Sequence, residues 1–204
     1  MSSAPVLAYA LRGALYLNLT SRCTLACTFC PKVRDHRFSF AGHDLRLAVE
    51  PGVEEVWEAA RAAGLEDGRE VVFTGLGEPT RRLEVLLALV ARLKHARVPR
   101  VRLDTDGLAT LREGRDVAPE LAAAGLDAVS VSLNAQDATT YARLCPSAYG
   151  EAAHGAAVAF IRRIVPLVPE VVASAVGVPG VDPERCRALV ESLGARFRFR
   201  PYRD

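Results

Sequence analysis

The sequence contains no apolar run long enough to span a bilayer, although half of its 204 residues are apolar. It has no low-complexity segment, no clear linker and no block of like charge. The net charge of +2 therefore selects neither an acidic nor a basic partner. The first residues, "MSSAPVLAYALRG", lack a basic segment and carry only a short apolar stretch, and do not read as a convincing secretory leader. These features predict a cytoplasmic protein with one domain over residues 1–204, a length that buries a core without cross-links. Cysteine is scarce as well. Five cysteines are too few for a disulfide framework, and three of them fall within "CTLACTFC", residues 23–30. An odd count concentrated in one short segment points to metal chemistry in a reducing compartment.

What the sequence does have is a strand-then-helix rhythm. Six stretches read as strands: "ALYLNLT" (14–20), "EVVFTG" (70–75), "RVRLDTDG" (100–107), "DAVSVSLNA" (127–135), "EVVASAVGV" (170–178) and "ARFRFRPY" (195–202). Helical spacing appears between them. Leu83, Leu86, Leu87, Val90 and Leu93 form one apolar stripe; Val158, Ile161, Ile164 and Val165 form another. Asp182-Pro183, the face of Cys186, Leu189, Val190 and Leu193, and then Gly194 give a helix with both ends marked. Val53, Val56 and Ala60 mark a weaker one.

Repeated βαβ units imply an α/β fold with parallel strands, either an open doubly wound sheet or a partial (β/α)6 TIM-like barrel open on one side. The strand faces favour the barrel. Val129, Val131 and Leu133 oppose Ser130, Ser132 and Asn134; Val101 and Leu103 oppose Arg102, Asp104 and Asp106; Leu15, Leu17 and Leu19 oppose Tyr16, Asn18 and Thr20. Buried parallel strands are ordinarily apolar on both faces. A polar face calls for a lumen that holds a polar ligand, or for internal pairing such as Arg102 with an aspartate. The polar residues crowd toward the carboxyl ends of the strands, where such barrels place their sites, and the cysteine segment begins three residues after Thr20 on that rim.

Closely spaced thiolates bind zinc or iron–sulfur clusters. Zinc would need a fourth ligand, for which His36 is the nearest candidate. A [4Fe–4S] cluster held by Cys23, Cys27 and Cys30 accounts for three cysteines directly, because it leaves one iron open. Cys186 reads as a small buried hydrophobe, and Cys145 as a structural or substrate-handling thiol near the cavity. His36, His43 and His154 carry no partner pattern.

The pattern Cys23, Cys27, Phe29, Cys30 resembles the signature of radical S-adenosylmethionine (SAM) enzymes. The resemblance implies the partial barrel, a [4Fe–4S] cluster whose open iron chelates SAM, and reductive cleavage to a 5′-deoxyadenosyl radical that abstracts hydrogen from a substrate. It extends over nearly the whole chain. "TGLGEPT" (74–80) resembles the glycine-rich turn against the SAM amino group, which implicates Gly75, Gly77 and Glu78. "LDTDG" (103–107) resembles a third-strand segment and implicates Asp104, with Asp106 where asparagine is usual. "VSVSLNAQDATTYARL" (129–144) implies that Ser132 and Asn134 approach the ribose and that Arg143 pairs with the SAM carboxylate; Phe29 would lie near the adenine. "LNLTSRC", "GLGEPT", "SLNAQD" and "FRPY" are most similar to the TatD-associated radical SAM proteins. Partners implied are a flavodoxin or ferredoxin-type reductant and a TatD-type nuclease. Loop 31–44, mixing basic and aromatic residues, suits an anionic or nucleotide-like substrate, or a shield over the cluster. Two other classes share the cysteines: a metal-stabilised, non-catalytic binding module, and an activating enzyme that makes a radical on a protein partner.

Replacing Cys23, Cys27 or Cys30 by alanine is expected to abolish the iron–sulfur absorbance of the anaerobically reconstituted protein. Cys145→Ala and Cys186→Ala should leave it intact, and loss of the spectrum in Cys145→Ala would mean a fourth protein ligand.

Overall fold

A computed structural model describes residues 5–202. Two strands, β1 (Ala8–Leu11) and β2 (Ala14–Leu17), open the chain as an antiparallel hairpin. The cysteine segment follows, then α1 (Pro31–Arg34) and a small ribbon of β3 (Ser39–Phe40) and β4 (His43–Asp44). After it come α2 (Val53–Ala62), β5 (Glu70–Phe73), α3 (Leu83–His95) and β6 (Val101–Thr105). Next are α4 (Ala109–Glu113), α5 (Ala118–Ala123), β7 (Ala128–Ser132), α6 (Ala138–Leu144) and α7 (Ala152–Ile164). The chain finishes with β8 (Glu170–Val176), α8 (Pro183–Ser192) and β9 (Arg196–Arg200).

The main sheet runs β1-β2-β5-β6-β7-β8-β9. From β2 to β9 every pairing is parallel and joins strands in chain order. Successive crossovers of one hand curl such a sheet around an axis. No described pairing joins β9 back to β1, so this is the expected partial barrel, open on one side.

The expectation that strand structure starts at residue 14 needs one correction. Residues 8–11 form a further strand, turned back by Arg12 (φ 50°) and Gly13 (φ 80°). Two consecutive positive φ values make the tight hairpin turn whose twist matches its strands. Arg-Gly is a weaker signature of that turn than Asn-Gly, and the sequence reading passed over it.

The apolar strand faces pack outward on the helices. Leu15, Leu17, Leu103, Val129 and Val131 are buried against Leu86, Leu89, Val90 and Leu93 of α3 and Phe160, Ile161 and Ile164 of α7 in one continuous core. The opposite faces line the lumen. At its amino-terminal end the polar residues neutralise one another. Arg100 reaches Glu70 (2.8 Å) and Glu170 (2.5 Å), and Arg102 reaches Glu70 (3.1 Å) and Asp104 (2.6 Å). Internal pairing therefore accounts for the lower lumen only. The carboxyl end is open and polar, and there the site is built.

Candidate active site at the carboxyl rim

The cysteine segment is irregular backbone and is held from two sides. On one side Glu78 N–H donates to Arg22 O (2.8 Å). On the other, Ala26 N–H donates to Pro146 O (2.8 Å) and Thr28 N–H to Leu144 O (2.9 Å), at the end of α6. Within the segment, Cys30 N–H donates to Cys27 O (3.0 Å), and Cys30 opens α1 with proline next in line. Serine and threonine tie it to the chain beyond: Ser21 Oγ accepts from Leu47 N–H (2.7 Å), and the Thr20 hydroxyl donates to Glu50.

Cys23, Cys27 and Cys30 are half-buried and face one cavity of about 460 Å³. Gly75, Gly77, Ser132, Asn134 and Phe29 line the same cavity, so with the three cysteines eight residues spread over positions 23–134 meet in one place. Gly77 lies close because it must. A Cβ on Gly77 would stand 2.1 Å from Thr20 O and 2.7 Å from Arg22 O. Its absence lets the turn lie flat on the chain leading into Cys23. Gly75 likewise leaves room for Asn18 Oδ1, which a Cβ would approach to 2.9 Å.

Glu78 does not line the cavity. It lies beneath the rim, 3% exposed. One carboxylate oxygen accepts from Thr80 N–H (3.0 Å), Thr80 Oγ (2.7 Å) and Thr105 Oγ (2.8 Å), and the other from Asp106 N–H (2.6 Å). Asp104 also lies outside the cysteine cavity. It faces a neighbouring compartment and holds Arg102. The aspartate that does line the cysteine cavity is Asp106, two residues further along the same strand face. Burial, with Glu78 close by, holds its carboxyl well above the ordinary carboxylate range. Arg143 is exposed on α6 and outside the cavity lining, with its Nη2 against the loop at Gly180.

Cys145 is buried behind Cys27, within hydrogen-bond reach of it, and accepts from Asn134 Nδ2 (3.5 Å). Cys186 is fully buried on α8, as its helix face implied. His36 is exposed and outside the cavity, which leaves zinc without its candidate fourth ligand. Among the described residues no three Cys, His, Asp or Glu side chains converge on a single ion. Three thiols spread over one cavity wall suit a multi-iron cluster instead.

The cavity also fits a large polar ligand. Asn134 Oδ1, on a lining residue, is buried without a hydrogen-bond partner, as is Ser174 Oγ, whose strand position pairs with Ser132. A buried polar atom left unpaired costs about 1–3 kcal/mol, and a ligand rich in donors and acceptors removes that cost. Asn134 takes a left-handed conformation (φ 60°), which asparagine tolerates, and so turns its amide inward as β7 ends. Burial, reinforced by Glu78 and Asp106, pushes the Cys23 thiol up to about 12. A hydrogen bond with Cys145, then burial, likewise raises Cys27. Such thiols yield their protons to a bound metal cation rather than to water.

Sequence reasoning missed Arg200 and Tyr202, which close the cavity from the end of β9. The alternating "RFRFR" was the available signal, because it puts Arg196, Arg198 and Arg200 on one face of the last strand.

Known proteins bear on this site. The model of the Radical SAM superfamily matches residues 17–193. Among curated proteins, GTP 3′,8-cyclase of Synechococcus sp. (strain CC9902) is 35% identical over 139 residues, which cover 65% of this chain and 35% of that protein. The enzyme of the same name from Mycobacterium sp. (strain KMS) is 33% identical over 132 residues, 64% of this chain and 34% of its own. The chain thus spans about a third of the length of these relatives. Among solved structures, Streptococcus suis SuiB bound to S-adenosylmethionine superposes with a TM-score of 0.66 at 17% identity, covering 94% of this chain and 41% of SuiB. The hydrogenase maturase HydG of Carboxydothermus hydrogenoformans gives 0.66 at 14%, covering 94% and 44%.

Gly77→Ala is expected to lower iron uptake on reconstitution and to destabilise the chain, because the new methyl collides with backbone rather than with a movable side chain. Iron content and denaturant midpoint both report it. Wild-type values for both would show that the Gly77 turn does not set the position of the cysteines.

Proposed function

The chain belongs to the radical SAM superfamily, and we propose that it uses Cys23, Cys27 and Cys30 to hold a [4Fe–4S] cluster with one iron left for SAM. It is a radical SAM enzyme, and its cofactors are those of the family, the cluster and SAM. The observation that carries the reading is the meeting of the three cysteines with Gly75, Gly77, Ser132 and Asn134 around a single cavity. When bound, the reduced cluster and SAM supply a 5′-deoxyadenosyl radical that takes a hydrogen atom from the substrate.

The chain's own residues bind and orient. Gly75 and Gly77 let the turn pack flat on the chain before Cys23, with its backbone at the cavity edge where the amino group of SAM would sit. Ser132 and the free Asn134 carbonyl oxygen face the ribose, and Phe29 offers a ring to the adenine. Glu78 fixes the turn from below, as its four accepted hydrogen bonds require. Asp104 sits one compartment away and contributes through Arg102 to the shape of the lumen. Arg143 stands on the rim, where contact with the SAM carboxylate needs its side chain to leave the Gly180 loop. Phe40, on the ribbon within loop 31–44, lines the compartment beside the cysteine cavity, so that loop belongs to the substrate side as well as to the cluster side.

The finer assignments rest on sequence resemblance. "GLGEPT", "SLNAQD" and "FRPY" favour the TatD-associated branch and, with it, association with a TatD-type nuclease. The electron donor is a flavodoxin or ferredoxin-type protein, in a cytoplasmic setting that keeps thiols reduced. The domain acts as one unit over residues 1–204. The substrate of the GTP 3′,8-cyclases is not carried over, because the match leaves most of those proteins uncovered.

Anaerobic reconstitution followed by incubation with SAM and a low-potential reductant is expected to release 5′-deoxyadenosine and methionine, and Cys27→Ala should release neither. A wild-type chain that takes up iron and sulfide yet leaves SAM intact would contradict the enzyme reading.

A further inference from the structure

Three arginines of β9 face the lumen, and among the described residues the first alone forms an ion pair. Arg196 pairs with Glu170 at the amino-terminal end. Arg198 donates to Ser130 Oγ (2.9 Å), a neutral partner. Among the described residues neither Arg198 nor Arg200 forms an ion pair, and Arg200 Nε is buried without any hydrogen bond. The nearby carboxylate of Asp104 is already committed to Arg102 at 2.6 Å. This differs from the layer below, where Arg100 and Arg102 each hold a carboxylate. Arg198 is exposed and Arg200 half-buried; a guanidinium cannot shed its charge, so the half-buried Arg200 without an anion is costly unless an anion arrives.

The space in front of the pair is large enough for a ligand. Arg198 and Arg200 line a compartment of about 610 Å³ on the open side of the barrel. Its other wall is aromatic: Tyr9 and Tyr16 stack with centroids 5.4 Å apart and planes at 19°, and Phe40 completes it. Gly75, Leu76, Arg200 and Pro201 border this compartment and the cysteine cavity alike, so the two are adjoining chambers of one lumen. Burial first, and then the neighbouring Arg198 charge, lowers Arg200 below its ordinary value against the opposing pull of Asp104.

We infer that the substrate carries an oxyanion group, a carboxylate or a phosphate, and that Arg198 and Arg200 hold this group in the chamber beside the cysteines. The inference rests on the radical SAM reading for the word substrate; the anion site itself rests on the arginines. Paired guanidinium forks recognise an oxyanion through charge-assisted, often bidentate hydrogen bonds, and the tyrosine pair offers a surface to the remainder of the molecule. The anion end would thus be anchored at Arg198 and Arg200, directing the rest of the substrate past Gly75 and Leu76 toward the cysteine cavity.

The test is calorimetric titration of the anaerobically reconstituted, SAM-loaded protein with inorganic pyrophosphate and, separately, with succinate. At least one should bind the wild type. Arg198→Ala combined with Arg200→Ala should weaken it about 10- to 100-fold, the loss expected for hydrogen bonds to a charged group. Arg200→Lys should fall between, keeping charge without the fork. Arg196→Ala, which removes an arginine of the same strand already paired with Glu170, should bind as the wild type. Preference for pyrophosphate assigns a phosphate, and preference for succinate a carboxylate. Cluster absorbance and SAM affinity should be unchanged in all variants. The inference is overturned if neither anion binds the wild type, if the double variant binds as well as the wild type, or if SAM affinity falls together with anion affinity, which would give the arginines to SAM. Failure of the radical SAM reading is separate, appearing as a wild-type protein that assembles no cluster or takes up no SAM; the anion titration is read on that protein all the same.

Discussion

The carboxylate of Glu78 joins the pieces of the rim. It is buried, and it accepts hydrogen bonds from Thr80, from the Thr105 hydroxyl and from the backbone of Asp106. Its own N–H reaches Arg22 O, one residue before Cys23. The glycine-rich turn, the carboxyl end of β6 and the start of the cysteine segment are therefore tied to one another. Hydrogen bonds to a charged group are worth about 1.5–3 kcal/mol each, so four of them on a buried carboxylate fix its position firmly. The far side of the segment is fastened to Leu144 and Pro146. A loop of irregular backbone is thus held at both ends on regular elements, as a metal site requires if its ligands are to stay in place.

Charge divides the lumen along its axis. The amino-terminal end closes on itself through Glu70, Arg100, Arg102, Asp104 and Glu170. The carboxyl end keeps unpaired donors and acceptors on Asn134, Ser174 and Arg200. A network satisfied at one end and unsatisfied at the other gives the barrel a rigid floor and a receptive mouth. Alternation along each strand produces both, since the same parity that places Leu103 and Val131 against the helices places Asp104 and Ser132 inward.

That parity is why so much of the molecule was legible in the sequence. Six parallel strands, the long helices α3, α7 and α8, and the polar lumen follow from periods of two and of 3.6 residues. The cysteine cavity was legible too, because its residues stand at predicted strand ends. What escaped depends on depth, phase or distance. Parity shows that Asp104 and Asp106 share a face, but not that only Asp106 reaches the cysteines. Glu78 reads as a ligand contact in a linear sequence, while its partners Thr105 and Asp106 are supplied by a different strand. Arg143 lies on a short helix whose phase the sequence does not fix, and its side chain turns to the Gly180 loop. Arg200 becomes a lumen residue only once the last strand pairs with β8.

Three cysteines would hold the cluster and leave one iron for SAM. Mössbauer spectroscopy of the iron-57-reconstituted protein tests this arrangement most directly. One iron site should change its isomer shift when SAM is added while the others stay fixed, with Cys145→Ala behaving as the wild type. A spectrum with all irons equivalent and indifferent to SAM would contradict it, because every iron would then be ligated by the protein.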